Sequence, residues 1–189
     1  YGAARGIRIL HYINSSGLKE IIEGTEIAHE FRRIYACSFL YDIDGVAYWP
    51  AVAVNYTNKT QFIFKINKGV ESVFDSKLVN QYIEEDKRPV PFRRMIYVGD
   101  GTTDIPCMRL VKNSGGHSIA VYNPEIRNAR RELNGLIRDN RVSHVCPADY
   151  SEVPKWIRSS RRSSTRSRRI TGWSCSKLPA RSTKESVAI

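Results

Sequence analysis

The fold is decided by Met95-Ile96-Tyr97-Val98-Gly99-Asp100-Gly101-Thr102-Thr103-Asp104. Four apolar residues in a row, closed by glycine, read as a short strand buried on both faces in the manner of a parallel sheet. The strand delivers a loop with two carboxylates four residues apart, and residues 105–112 read as the helix that follows. Open α/β sheets bind ligands at the carboxyl edges of their strands, which is where this loop falls. Glycines on both sides of Asp100 let the backbone come close to whatever the carboxylate holds. Asp100 and Asp104 could share one metal-bound water network, since Mg²⁺ is satisfied by one or two carboxylates with waters and phosphate oxygens. The local spacing also fits a plain Asp/Gly turn in which Asp104 caps the helix.

Working outward, residues 7–13 are rich in β-branched and aromatic side chains and stop at Asn14-Ser15-Ser16-Gly17, a strand feeding a turn. Leu18, Ile21 and Ile22 share a helical face ended by Gly24, and residues 26–34 are expected to form a second short helix on Ile27, Phe31 and Ile34. Two strand-like runs flank Asp42-Ile43-Asp44-Gly45, predicting a β-hairpin over about 35–54. Thr57 is placed to cap a helix over 58–67 that Lys68-Gly69 ends, and residues 71–90 are polar and helical in part. Strands at 118–122 and 142–147 enclose a charged helix at 125–138. Strands alternating with helices predict an α/β fold with a Rossmann-like parallel sheet.

The charge is unevenly spread. The chain of 189 residues carries 30 Lys and Arg against 19 Asp and Glu, a net of +11. Residues 1–154 hold 20 basic and 18 acidic side chains, whereas 155–189 hold 10 basic and one acidic. The body, 1–154, is nearly neutral, and the basic excess belongs to a Ser/Arg-rich tail, 155–189, which lacks the apolar residues to offset its ordering entropy and is expected to be disordered. A polybasic arm could hold nucleic acid. The body supplies no aromatic platform for that purpose, and nucleic acid is not the expected partner. No run of eighteen apolar residues marks a membrane span, and the first residues lack a signal-peptide pattern. Cys37, Cys107, Cys146 and Cys175 lie far apart without a CxxC pair, as expected of thiols in a reducing cytoplasm.

Two more positions could carry chemistry. Ser15, at the end of a strand and the expected mouth of a helix, suits a phosphate through its hydroxyl and nearby backbone N–H groups. Lys59 lies in the first turn of its helix, where a lysine is most often solvated surface. In their order, Tyr12-Ile13-Asn14-Ser15-Ser16-Gly17, Asn58-Lys59-Thr60-Gln61 and Gly99–Asp104 resemble the haloacid dehalogenase-like (HAD) superfamily, close to its phosphoserine-phosphatase-like members. The resemblance covers about residues 1–150, and its Gly-Asp-Gly-x-x-Asp element is the specific one. It implies hydrolysis of a small phosphate monoester through an aspartyl-phosphate with Mg²⁺ as cofactor. Carried over by position, Asp100 would be a metal ligand, Asp104 would orient the metal waters or the lysine, and Ser15 and Lys59 would bind the phosphoryl oxygens.

The family's nucleophile motif, Asp-x-Asp-x-Thr/Val, precedes the Ser motif, and only fourteen residues, none acidic, precede Ser15 here. The chain is therefore expected to lack its N-terminal third, with the nucleophile, the central strand and the substrate-selecting cap, and to be inactive as it stands. Strands beside the missing one should have unpaired edges. Asp42-Ile43-Asp44-Gly45 spells much of the absent motif, but it follows the Ser motif at hairpin spacing and reads as a turn. The competing function class is a non-catalytic phosphate- or metal-binding module.

Overall fold

The computed structural model describes residues 8–149 and the backbone of 186–188. In chain order the elements are β1 (Ile9–Leu18), α1 (Lys19–Glu23), β2 (Phe31–Tyr41), β3 (Ala47–Val52), α2 (Lys59–Lys68), α3 (Lys77–Asn80), β4 (Met95–Gly99), α4 (Ile105–Asn113), β5 (His117–Tyr122), α5 (Ala129–Arg138), β6 (His144–Pro147) and β7 (Ser186–Ala188). The strands lie in the order β3-β2-β1-β7-β4-β5-β6. All neighbours run parallel except β2 and β3, which are antiparallel. The architecture is α/β with a mixed sheet: the alternation of strand and helix patterns accounts for the parallel strands, and the β2–β3 hairpin supplies the antiparallel pair.

The core gathers on the face that α2 and α4 cover. Phe62, Ile63 and Ile66 of α2 and Cys107, Met108 and Val111 of α4 are buried against Met95 and Tyr97 of β4, Tyr35 of β2 and Ala120 of β5. Tyr35 and Phe62 contribute a tilted ring pair at 5.3 Å, and Phe64 meets Phe92 edge-on at 5.5 Å. Helix α2 stops at Gly69, whose φ of +69° permits the N–H of Gly69 to reach Ile66 O and that of Val70 to reach Lys65 O, a Schellman ending. Burial alternates along β4. Met95, Tyr97 and Gly99 are buried, while on the other face Ile96 is half-buried and Val98 36% exposed, so among the described residues that face is less covered than the apolar run suggested.

Three other expectations are corrected. Residues 26–34 do not form a helix: a single 3₁₀ turn, Ala28–Glu30, leads straight into β2, whose pairing with β1 begins at His11↔Phe31. The helical spacing of Ile27, Phe31 and Ile34 yields to the ladder with β1 that Phe31, Ile34 and Tyr35, all good strand formers, support. The first strand does not stop at Asn14. It continues to Leu18, because β2 stays paired with it through Asn14↔Tyr35 and Leu18↔Cys37. Finally, Ser186–Ala188, within the stretch expected to lack structure, is strand β7. It lies between β1 and β4, pairing with Ile9–His11 on one side and with Met95 and Ile96 on the other. The two edges expected to stand unpaired therefore have a partner over those residues. The rest of the predicted tail, with Cys175, lies outside the described residues.

Candidate functional site

The end of β1 does not run smoothly. Between Asn14↔Tyr35 and Leu18↔Cys37 four residues of β1 advance against two of β2, so Ser15-Ser16-Gly17 bulges out of the ladder. Ser15 Oγ accepts the N–H of Gly17 at 3.0 Å, a local turn that leaves the hydroxyl proton free to donate. The expected helix mouth at Ser15 is not there. Helix α1 starts at Lys19 with Leu18 as its N-cap, so the support for Ser15 is the bulge and not a helix terminus. Cys37 Sγ lies 3.5 Å from Ser16 O and from Val54 O and accepts the Val54 N–H at 3.2 Å, tying the bulge to the segment that leads into α2.

That segment is held by its own asparagines. Asn58 accepts from the Asn55 N–H at 2.8 Å and donates to Ala53 O at 2.7 Å, and Asn55 accepts from the Thr57 N–H at 2.9 Å. Asn58, not Thr57, is the N-cap of α2, and the Thr57 hydroxyl turns back to Asn55 Oδ1. Lys59 follows as the first helical residue. Asn14 Nδ2 donates to Lys59 O at 3.0 Å, which joins the end of β1 to the start of α2 across 45 positions of sequence.

Lys59 is not solvated surface. Its Nζ donates to Asp104 Oδ1 at 2.7 Å, and the two side chains are only 7% and 9% exposed. The Tyr97 hydroxyl donates to the same oxygen at 2.7 Å. Asp104 occupies the N-cap position of α4 and makes no side-chain capping bond, so its carboxylate serves the lysine and the tyrosine. The plain-turn alternative is thereby set aside for Asp104. The fit is tight: a Cβ on Gly99 would stand 2.7 Å from Asp104 Cβ and 2.8 Å from Met108 Cε, so only glycine lets the loop fold back over α4. Beneath it, burial holds the Tyr97 hydroxyl protonated well above its ordinary range and pushes the Cys107 thiol up to about 11.

Asp100 stands on the same loop and is exposed to solvent. Among the described residues no group of three His, Cys, Asp or Glu side chains converges as a metal cage. A magnesium ion completed by waters and by phosphate oxygens needs no such cage. Among the described residues two buried acceptors, Asn14 Oδ1 and Glu20 Oε2, have no hydrogen-bond partner. Asn14 precedes Ser15 in the chain, and a water or a bound group with an N–H or O–H would satisfy its Oδ1.

The structure thus joins Lys59 to Asp104 and ties the chain on either side of both to the Ser15 bulge and the Asp100 loop. It leaves Asp42 elsewhere. Asp42 Oδ1 accepts the N–H groups of Asp44 at 3.0 Å and Val46 at 2.8 Å, and the Asp42 N–H donates to Val46 O at 3.0 Å. The carboxylate is engaged in its own turn at the tip between β2 and β3, with Ile43 fully exposed beside it. Sequence reasoning passed over Tyr97 and Asn14. The only signal was a polar group, the phenol of Tyr97 and the amide of Asn14, within strand-like runs.

No protein-family model matches the chain, and no solved structure matches it. Among curated proteins it is similar to an uncharacterized protein of Borreliella burgdorferi (strain ATCC 35210 / DSM 4680 / CIP 102532 / B31), 29% identical over 170 residues. The match covers 77% of this chain and 55% of that relative, so the chain spans little more than half of the relative's length. Among the described residues no helix is long and apolar enough to cross a membrane.

Proposed function

We propose that Ser15, Lys59, Asp100 and Asp104 form the phosphate- and Mg²⁺-binding part of a HAD-type phosphatase acting on a small phosphate monoester. The observation that carries this reading is the buried Lys59–Asp104 pair, 2.7 Å long between the start of α2 and the loop after β4. A lysine and an aspartate so placed are costly to bury, and a fixed cation that a phosphate oxygen could meet offsets part of that cost. One Lys59 N–H is given to Asp104, and two remain for phosphoryl oxygens. Ser15, with its oxygen already accepting from Gly17, donates its own proton to a third. Asp100 would hold the magnesium ion, which when bound offsets the phosphate charge and polarises the phosphoryl group.

What is proposed for these residues is the binding of phosphate, and residues 1–14 add no acid to them. Free thiols at Cys37, Cys107 and Cys146 are compatible with a reducing, cytoplasmic setting. The test is ³¹P NMR of orthophosphate with Mg²⁺ and the full chain. The resonance should broaden with wild type and less with Ser15→Ala, and an aryl phosphate in the same tube should remain intact. No broadening would overturn the reading. Turnover that vanishes in Asp42→Asn would overturn the assignment of that loop as a turn.

A further inference from the structure

Tyr97 fills an apolar position in β4. It is 2% exposed, and a phenylalanine would occupy the same space. Its hydroxyl nevertheless meets Asp104 Oδ1, the oxygen that also takes Lys59 Nζ, both at 2.7 Å. A carboxylate oxygen offers two lone pairs, and these two donors use both. We propose that Tyr97 is a positioning residue of the phosphate site: its hydroxyl fixes the Asp104 carboxylate so that Asp104, in turn, fixes the Lys59 ammonium toward the ligand. The proposal rests on the phosphate-binding reading given above.

The chemistry of the donor matters. The torsion that turns an aspartate carboxylate is broad, so a single ion pair leaves Asp104 free to swing and Lys59 free to follow. A second donor from a rigid strand removes that freedom. A cation there would cancel the carboxylate's charge and weaken its hold on Lys59. A phenol is neutral and donates without cancelling it. The other carboxylate oxygen, Oδ2, faces the Gly101 loop, 3.8 Å from where a Cβ on Gly101 would stand. Tyr97 therefore sets the orientation of the carboxylate from below while the loop closes over it from above.

Tyr97→Phe in the full chain removes the hydroxyl and keeps the ring volume, so the fold is retained. The readout is the rate at which acetic anhydride labels Lys59, followed by peptide mass spectrometry. Lys65 is the internal reference: it is on the same helix, is also buried, and is held by Ser72 O and Asp75 O far from Tyr97 in sequence. Lys59 labelling should rise about fivefold relative to Lys65, the change expected when one buried hydrogen bond is lost. An unchanged ratio overturns the proposal, as does an equal rise at both lysines, which would mean general loosening. Protection of wild-type Lys59 by orthophosphate is scored separately. A fivefold rise without that protection removes the phosphate reading and leaves Tyr97 positioning a structural ion pair. Protection with no rise removes the role of Tyr97 alone.

Discussion

At the residue scale, removing either partner of the Lys59–Asp104 pair leaves the other as a charge in a site more than nine-tenths closed to solvent. Breaking such a pair costs about 3–5 kcal/mol, whereas replacing both members by apolar groups of similar volume is often neutral. Lys59→Met should therefore lower unfolding free energy by about 3 kcal/mol or more in urea titrations, and Lys59→Met/Asp104→Leu should recover most of it. A single-variant loss below about 1 kcal/mol would show a pair that is solvated in solution. Two other buried groups join Tyr97 in setting the alkaline limit. Desolvation raises the Cys107 thiol from 9.0 to about 11 and the Tyr35 phenol from 10.0 to about 12. Both are raised in the folded state, so their contribution is complete below pH 9 and is lost as pH rises through 11 and 12. Stability should decline from pH 9 upward, and Cys107→Ser should flatten the part of that decline between 9 and 11. A stability profile level to pH 11 would contradict it.

At the element scale, the loop after β4 and the end of α2 are held by signals that are local in sequence, and both were legible. Glycines bracket Asp100, and Lys68-Gly69 stops α2 where the left-handed φ of Gly69 is needed. What could not be read depends on pairing. The continuation of β1 past Ser15, and the bulge that presents it, exist because β2 keeps the ladder going to Leu18↔Cys37. The Tyr97 hydroxyl and the Asn14 amide find partners that only packing brings close. The element most exposed to a single change is the β4–α4 turn. Gly99→Ala places a methyl within 3 Å of Asp104 Cβ and Met108 Cε. It should cost about 1–3 kcal/mol through overpacking and should push Asp104 away from Lys59. Urea unfolding and Lys59 labelling together check this, and an unperturbed variant would show the turn to be looser than described.

At the scale of the whole molecule, the sheet is continuous because three residues distant in sequence, Ser186–Ala188, fill the place between β1 and β4. They were not legible, since a three-residue run carries no period to separate strand from coil. Val187 pairs with Leu10 on one side and Met95 on the other. Val187→Pro removes a ladder donor from a central position and should lower the melting temperature by at least about 3 °C, with faster amide exchange at Leu10 and Met95. An unchanged melt would mean that β7 contributes nothing to the sheet.

The central claim is that the bulge in β1, the loop after β4 and the start of α2 make one phosphate site served by Mg²⁺. Calorimetric titration of orthophosphate into the full chain, with and without Mg²⁺ and beside Asp100→Asn, tests it most directly. Asp100 is exposed, so its replacement leaves the fold intact. Binding that strengthens with Mg²⁺ in wild type, and loses that strengthening in Asp100→Asn, is the result predicted. No binding, or binding indifferent to both the ion and the substitution, would contradict it.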